Sequence, residues 1–157
     1  MKKISAEITI NAPAARVWAI ISDFDSYPLW NTFTPRITLT NDRCRVGAEF
    51  DLDCRMTDRE LLVNEHETIL VFEPERFSFC MGTSRSRGRP GIRSFRWQIC
   101  EPIGEDRTRF MNHEEFHGVL APLVYFLYAK KLGAAFERYC SVLKEYAEAR
   151  GRGRVRN

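Results

Sequence analysis

The stretch LAPLVYFLYAKKLGAAFERYCSVLKEYAEAR, from Leu120 to Arg150, decides how this chain folds. Apolar residues recur at Leu120, Leu123, Val124, Leu127, Tyr128, Leu132, Ala135, Phe136, Tyr139, Val142, Leu143 and Tyr146, in steps of three and four. That spacing predicts one long helix with a continuous apolar stripe. About thirty residues at ~1.5 Å each make a rod of roughly 45 Å, which needs a broad apolar surface to lie against.

The preceding residues supply that surface. Lys3 to Ile10 alternates Ile4, Ala6, Ile8 and Ile10 with Lys3, Ser5, Glu7 and Thr9, the pattern of a half-buried strand. Asn11-Ala-Pro13 then opens a short helix, with Asn11 as its cap and Pro13 in its first turn. A second short helix or tight turn follows at Phe24 to Trp30. Six more strands are expected at 36–40, 48–56, 60–72, 76–81, 93–100 and 108–116, the last running into the long helix. On 93–100, Phe95, Trp97 and Ile99 are expected to face the core, with Ser94, Arg96, Gln98 and Cys100 facing away. The order is an antiparallel meander with helices at its ends, an α+β fold of about seven strands. Residues 1–150 read as one domain, and 151–157 as a basic, disordered tail.

Composition narrows the function. Of 157 residues, 44% are hydrophobic and 29% charged, as in an ordinary globular protein. The net charge of +3 is too small for a nucleic-acid module, and the arginines at 85–96 and 150–156 read as a solvated loop and tail. Five scattered cysteines without a CxxC pair read as reduced thiols. With no apolar leader and no run long enough to span a bilayer, the expected setting is the cytoplasm. No phosphate loop, dinucleotide fingerprint or nucleophile motif is present, so no cofactor is expected.

The string His113-Glu-Glu-Phe-His117 matches HExxH, the zinc-hydrolase spacing. That spacing converges two imidazoles only on a helix, and the residues before it read as strand. On a strand the histidines lie about 13 Å apart at ~3.3 Å per residue, so no metal site is expected. Phe110, Asn112, Glu114 and Phe116 share one strand face; Met111, His113, Glu115 and His117 share the other. The pattern leaves open which face looks inward.

The element order, together with Ile10-Asn-Ala-Pro13, Val17-Trp18, Ser22-Asp-Phe-Asp-Ser-Tyr-Pro-Leu-Trp-Asn31, Phe95-x-Trp97, Glu114/Glu115 with Phe116-x-Gly118, and Leu120-x-Pro122, resembles the helix-grip superfamily of START domains, polyketide cyclases and the birch pollen allergen (SRPBCC) over residues 3–148. The resemblance implies a curved sheet gripping the long helix around a deep apolar cavity. The expected wall is Trp30, Phe33, Phe50, Leu52, Phe95, Trp97, Phe116, Leu123, Leu127 and Phe136, with Asn112 and Glu114 as orienting polar groups. The expected function is binding of a small hydrophobic molecule by a monomer or homodimer. The alternative is a cyclase- or dehydratase-like enzyme with Glu114 or His66 as acid/base.

Overall fold

In the computed structural model, which describes residues 2–40, 44–83 and 88–152, seven strands form one antiparallel sheet in the order β1-β7-β6-β5-β4-β3-β2. The strands are β1 (Lys2–Ile10), β2 (Arg36–Leu39), β3 (Glu49–Thr57), β4 (Glu60–Glu73), β5 (Ser78–Thr83), β6 (Arg93–Pro102) and β7 (Thr108–His117). Between β1 and β2 lie α1 (Ala14–Ile21), a single 3-10 turn (Phe24–Ser26) and α2 (Tyr27–Trp30). The last element is α3 (Ala121–Arg152), which takes in the first two residues of the expected tail. The rest of that tail, with Arg85 and Arg87, lies outside the described residues.

The order is that of a helix-grip fold. From β2 to β7 the sheet is a sequential meander, and only β1 crosses over, pairing with β7 along nine residues from Lys2↔Phe116 to Ile10↔Thr108. Concave-face residues meet the inner stripe of α3: Ile10, Phe50, Leu52 and Phe110 from the strands; Phe136, Tyr139 and Leu143 from the helix, all essentially fully buried. A second aromatic knot pins α1 to the sheet, where Trp18 lies 5.4 Å from Phe72 and 5.8 Å from Phe79 between ring centres.

One local reading is corrected. Pro13, not Asn11, occupies the cap position of α1, and no side chain caps it. The Asn11 N–H donates instead to Glu148 Oε1 at 2.8 Å, tying the end of β1 to the last turns of α3. The β3–β4 ladder slips between Leu52 and Cys54, and Asn64 there takes φ 55°. Arg36 holds the irregularity by donating to both Asp53 and Asn64 across three strands. Such a bulge bends its strand, which is what a sheet needs to wrap a helix.

The turn into α3 is set by Gly118, at φ 103°. A Cβ there would sit 2.5 Å from the Gly91 carbonyl oxygen, which itself accepts the Leu120 N–H at 3.0 Å. Backbone conformation and space thus both call for glycine. Gly118→Ala is expected to cost about 1–3 kcal/mol, read as a lowered midpoint in chemical denaturation with an unchanged slope.

Candidate functional site

The hairpin β6–β7 carries a polar group into the grip. Cross-strand partners share a sheet face, and here Arg96 pairs with Glu114, Gln98 with Asn112 and Cys100 with Phe110. Because Phe110 and Phe116 turn inward, Arg96, Gln98 and Cys100 turn inward with them. The face assignment on β6 is therefore the reverse of the one expected. Phe95 and Trp97 lie on the convex face, where Phe95 meets the ring of His117 edge-on and Trp97 stacks on His113.

Arg96 is 4% exposed. Its Nε donates to Asn112 Oδ1 at 2.9 Å. The guanidinium lies over three rings, 4.6 Å from the centre of Phe33 and 5.0 Å from those of Phe136 and Tyr139. Aromatic faces attract a cation most strongly when water is excluded, as it is here. Tyr139 Oη donates in turn to Gln98 Oε1, extending the polar row along β6. Phe33 is positioned by a turn in which Asn31 Oδ1 accepts the N–H groups of Phe33 and Thr34.

Beside this cage the sheet and α3 enclose a cavity of about 450 Å³, within the ~300–1,000 Å³ range of small-molecule sites. Phe33, Leu52, Met56 and Phe116 are among its apolar wall, and Val124, Tyr128 and Leu132 close it from the helix. Arg96 and Glu114 are buried charged residues of its lining, joined by the half-buried Glu67, whose Oε2 is out of contact with solvent. Burial pushes the Glu67 carboxyl up to about 8, and the nearby Glu114 charge adds to the rise against the pull of Arg96. Burial also raises Glu114, opposed by Arg96 and by Ser94. Arg96 Nη2, Asn112 Nδ2 and Glu67 Oε2 are buried without a hydrogen-bond partner. Buried polar atoms rarely stay unpaired, so the two that belong to the cavity lining, Arg96 Nη2 and Glu67 Oε2, are positions for a guest or for water.

Of the expected wall, Phe33, Leu52, Glu114 and Phe116 line this cavity. Asn112 stands behind it, orienting Arg96. Trp30, Phe50 and Phe136 belong to the packed core: Trp30 stacks on Tyr146, and Phe136 meets Phe33 edge-on. Phe95, Trp97, Leu123 and Leu127 do not line it; the two leucines are each 55% exposed. Continuing the buried stripe of Leu143, Tyr139, Phe136 and Leu132 back in steps of three and four leads to Tyr128 and Val124, one residue away from Leu127 and Leu123. His66 borders the cavity, while its Nδ1 bonds Asp51, its partner on β3. Glu67 and Arg96 were not singled out. Arg96 sits on β6 between Phe95 and Trp97, which are the better core residues by hydrophobicity, and Glu67 sits on β4 between register shifts that interrupt the alternation.

His113 and His117 lie on β7 on either side of Glu115, 3.8 and 3.6 Å from its carboxylate. Among the described residues, no group of three or more His, Cys, Asp or Glu is arranged to hold a metal ion.

The profile of the family described as polyketide cyclase / dehydrase and lipid transport matches residues 1–148. The chain belongs to that family. Similar folds are found in the Zhui aromatase/cyclase from Streptomyces sp. R1128 (TM-score 0.72, 15% identity, covering 95% of this chain and 94% of that one). A norcoclaurine synthase from Thalictrum flavum (0.73, 16%, covering 96% of each) and a START superfamily protein from Mycobacterium smegmatis (0.70, 18%, covering 94% and 97%) are also similar. At these identities the likeness is one of fold. "Oxopyrrolidines biosynthesis cluster protein O" of Penicillium oxalicum (strain 114-2 / CGMCC 5302) is 53% identical over 30 residues, which span 19% of this chain and 15% of that protein.

The raised Glu67 has a signed consequence. Its carboxyl holds a proton in the folded chain up to pH about 8 and releases it near 4.5 when unfolded. Folding is therefore favoured by this group below pH 4.5, and that contribution is lost as pH rises to about 8. Thermal unfolding midpoints are expected to fall across that window, by the equivalent of a few kcal/mol at most, and Glu67→Gln is expected to flatten the decline.

Proposed function

We propose that the protein binds a small, largely apolar molecule in the cavity between sheet and α3, as a carrier or sensor, and holds one polar end of it on the Arg96–Glu67–Glu114 cluster. The observation that carries this reading is that two unpaired buried atoms, Arg96 Nη2 and Glu67 Oε2, belong to residues lining a cavity with an apolar wall of Phe33, Leu52, Met56, Phe116 and Leu132. A ligand with a hydrogen-bonding oxygen satisfies Arg96 Nη2, while its body lies against the wall of Leu52, Met56, Phe116 and Leu132. Five unpaired cysteines support a reducing, cytoplasmic setting.

Native mass spectrometry of the purified chain is expected to retain a small molecule, and a panel of lipids and aromatic compounds to contain binders. A ligand at a hundred times its Kd adds about 2.7 kcal/mol, a clear rise in unfolding temperature. Arg96→Met keeps the apolar stem and removes the donors, so its affinity is expected to drop roughly tenfold or more. No retained molecule and no thermal shift across the panel would refute the reading.

One observation favours a second reading, a cyclase- or dehydratase-like enzyme. Glu67 carries a proton near neutral pH inside the cavity with a second carboxyl close by, which suits a general acid beside a base. The aromatase/cyclase among the similar folds is in keeping with it. If Glu67→Gln and Glu114→Gln keep ligand affinity within about tenfold while a turnover measured in the parent vanishes, the carrier reading gives way to the enzyme.

A further inference from the structure

The first half of α3 is apolar on two faces. Ala121, Val124, Tyr125, Tyr128 and Leu132 face the fold. Rotated from them by roughly a third to a half of a turn, at ~100° per residue, stand Leu123, Phe126 and Leu127, preceded by Val119 and Leu120. Those five are 55%, 84%, 55%, 87% and 42% exposed. A helix that is apolar all round is normally buried in protein or in lipid, and contiguous exposed apolar patches mark interaction sites.

The charge around the ridge is one-sided. Between Glu115 and Glu137 the sequence has no acidic residue, whereas Lys130 and Lys131 follow the ridge directly and are both exposed. Lys2 lies over the ring of Tyr125. Arg89, in the loop before β6, and Arg93, the first residue of β6, flank Gly91, which faces the side chains of Val119 and Leu120. Among the described residues, Glu60 is bonded to Lys131 and Glu65 to Arg89, while Glu67 and Glu114 line the cavity. Lys2, Arg93 and Lys130 remain beyond these two ion pairs and give the surface beside the ridge a positive character.

We propose that this end of the molecule docks on an anionic lipid bilayer, with Val119, Leu123, Phe126 and Leu127 inserting among the acyl chains and the cations meeting the headgroups. Val119 and Phe126 are the most exposed of the ridge, and apolar side chains this open to solvent suit a deformable partner that can close around them. A two-fold contact between copies would set lysines and arginines against their own kind. Arg89, Ile92, Val124 and Tyr128, which line the cavity, lie at this same end, so a docked molecule brings that side of the cavity to the bilayer. Only that last consequence rests on the ligand-binding reading; the docking surface stands without it.

Flotation of the full chain with vesicles of phosphatidylcholine, alone or mixed with phosphatidylglycerol, tests this separately from any ligand panel. Salt-sensitive flotation with the mixed vesicles only is expected. Each basic residue at the surface contributes about fivefold in partitioning. Lys130→Glu with Lys131→Glu is therefore expected to lower it more than tenfold, and Leu123→Ser with Phe126→Ser comparably. All four positions are exposed, and circular dichroism checks that the variants fold. Absence of flotation, equal flotation on uncharged vesicles, or flotation indifferent to the serine pair overturns the proposal. So does a concentration-dependent dimer that Phe126→Ser abolishes, which would give the ridge to a second copy.

Discussion

A guanidinium inside an apolar grip is the constraint on which the rest of this structure turns. An isolated charge moved from water into a low-dielectric interior is costly, and it persists only where hydrogen bonds and counter-charges surround it. Arg96 has all of these in partial measure: one bond to Asn112, three aromatic faces, and the carboxyls of Glu114 and Glu67. Each arises from a different element. Phe33 comes from the loop after α2, Phe136 and Tyr139 from α3, Asn112 and Glu114 from β7, and Glu67 from β4. Holding one cation thus fixes the relative placement of helix, hairpin and β4 more tightly than apolar contact alone, which is non-directional.

The compensation is incomplete in a particular way. Two carboxyls share one arginine, Glu114 buried and Glu67 half-buried. If both ionised, the cluster would carry a net negative charge in a medium that screens poorly. Keeping the proton on Glu67 avoids this, and the direction of its shift follows from burial first and from Glu114 second. The unpaired Nη2 of Arg96 and Oε2 of Glu67 are what such a compromise leaves behind.

The architecture was legible in the sequence because periodicity is a local signal. Alternation over eight or nine residues marks a strand, and a stripe over thirty marks a helix, whatever the partners are. Orientation was less legible. On β6, Phe95 and Trp97 out-compete Arg96 and Gln98 on hydrophobicity, yet hairpin pairing decides the matter: with Cys100 opposite Phe110, parity sends Arg96 inward. The two aromatics tolerate the outer face because His113 and His117 cover them. On α3 the same difficulty takes a helical form. Leu123 and Leu127 continue the three-and-four spacing as well as Val124 and Tyr128 do, so pattern alone cannot tell an inner stripe from an outer ridge. Glu67 lies between bulges on either side, where the alternation that would expose its direction is interrupted.

The cluster also constrains what any guest can be, through linkage between its charge and the Glu67 proton. A neutral oxygen accepting from Arg96 leaves the protonation pattern nearly as it stands. An anion set against Arg96 weakens the one interaction that pulls Glu67 towards ionising, so its binding takes up or tightens a proton. A cation set between the carboxyls does the opposite and releases one. Since Glu67 holds its proton to about pH 8, a neutral or weakly acidic guest would be accommodated with the least rearrangement of charge. Water exclusion by Leu52, Met56 and Phe116 strengthens that discrimination, because every unpaired charge in the cavity is felt at low screening. The same pair of carboxyls that makes the interior electrostatically tense is therefore what gives it a preference.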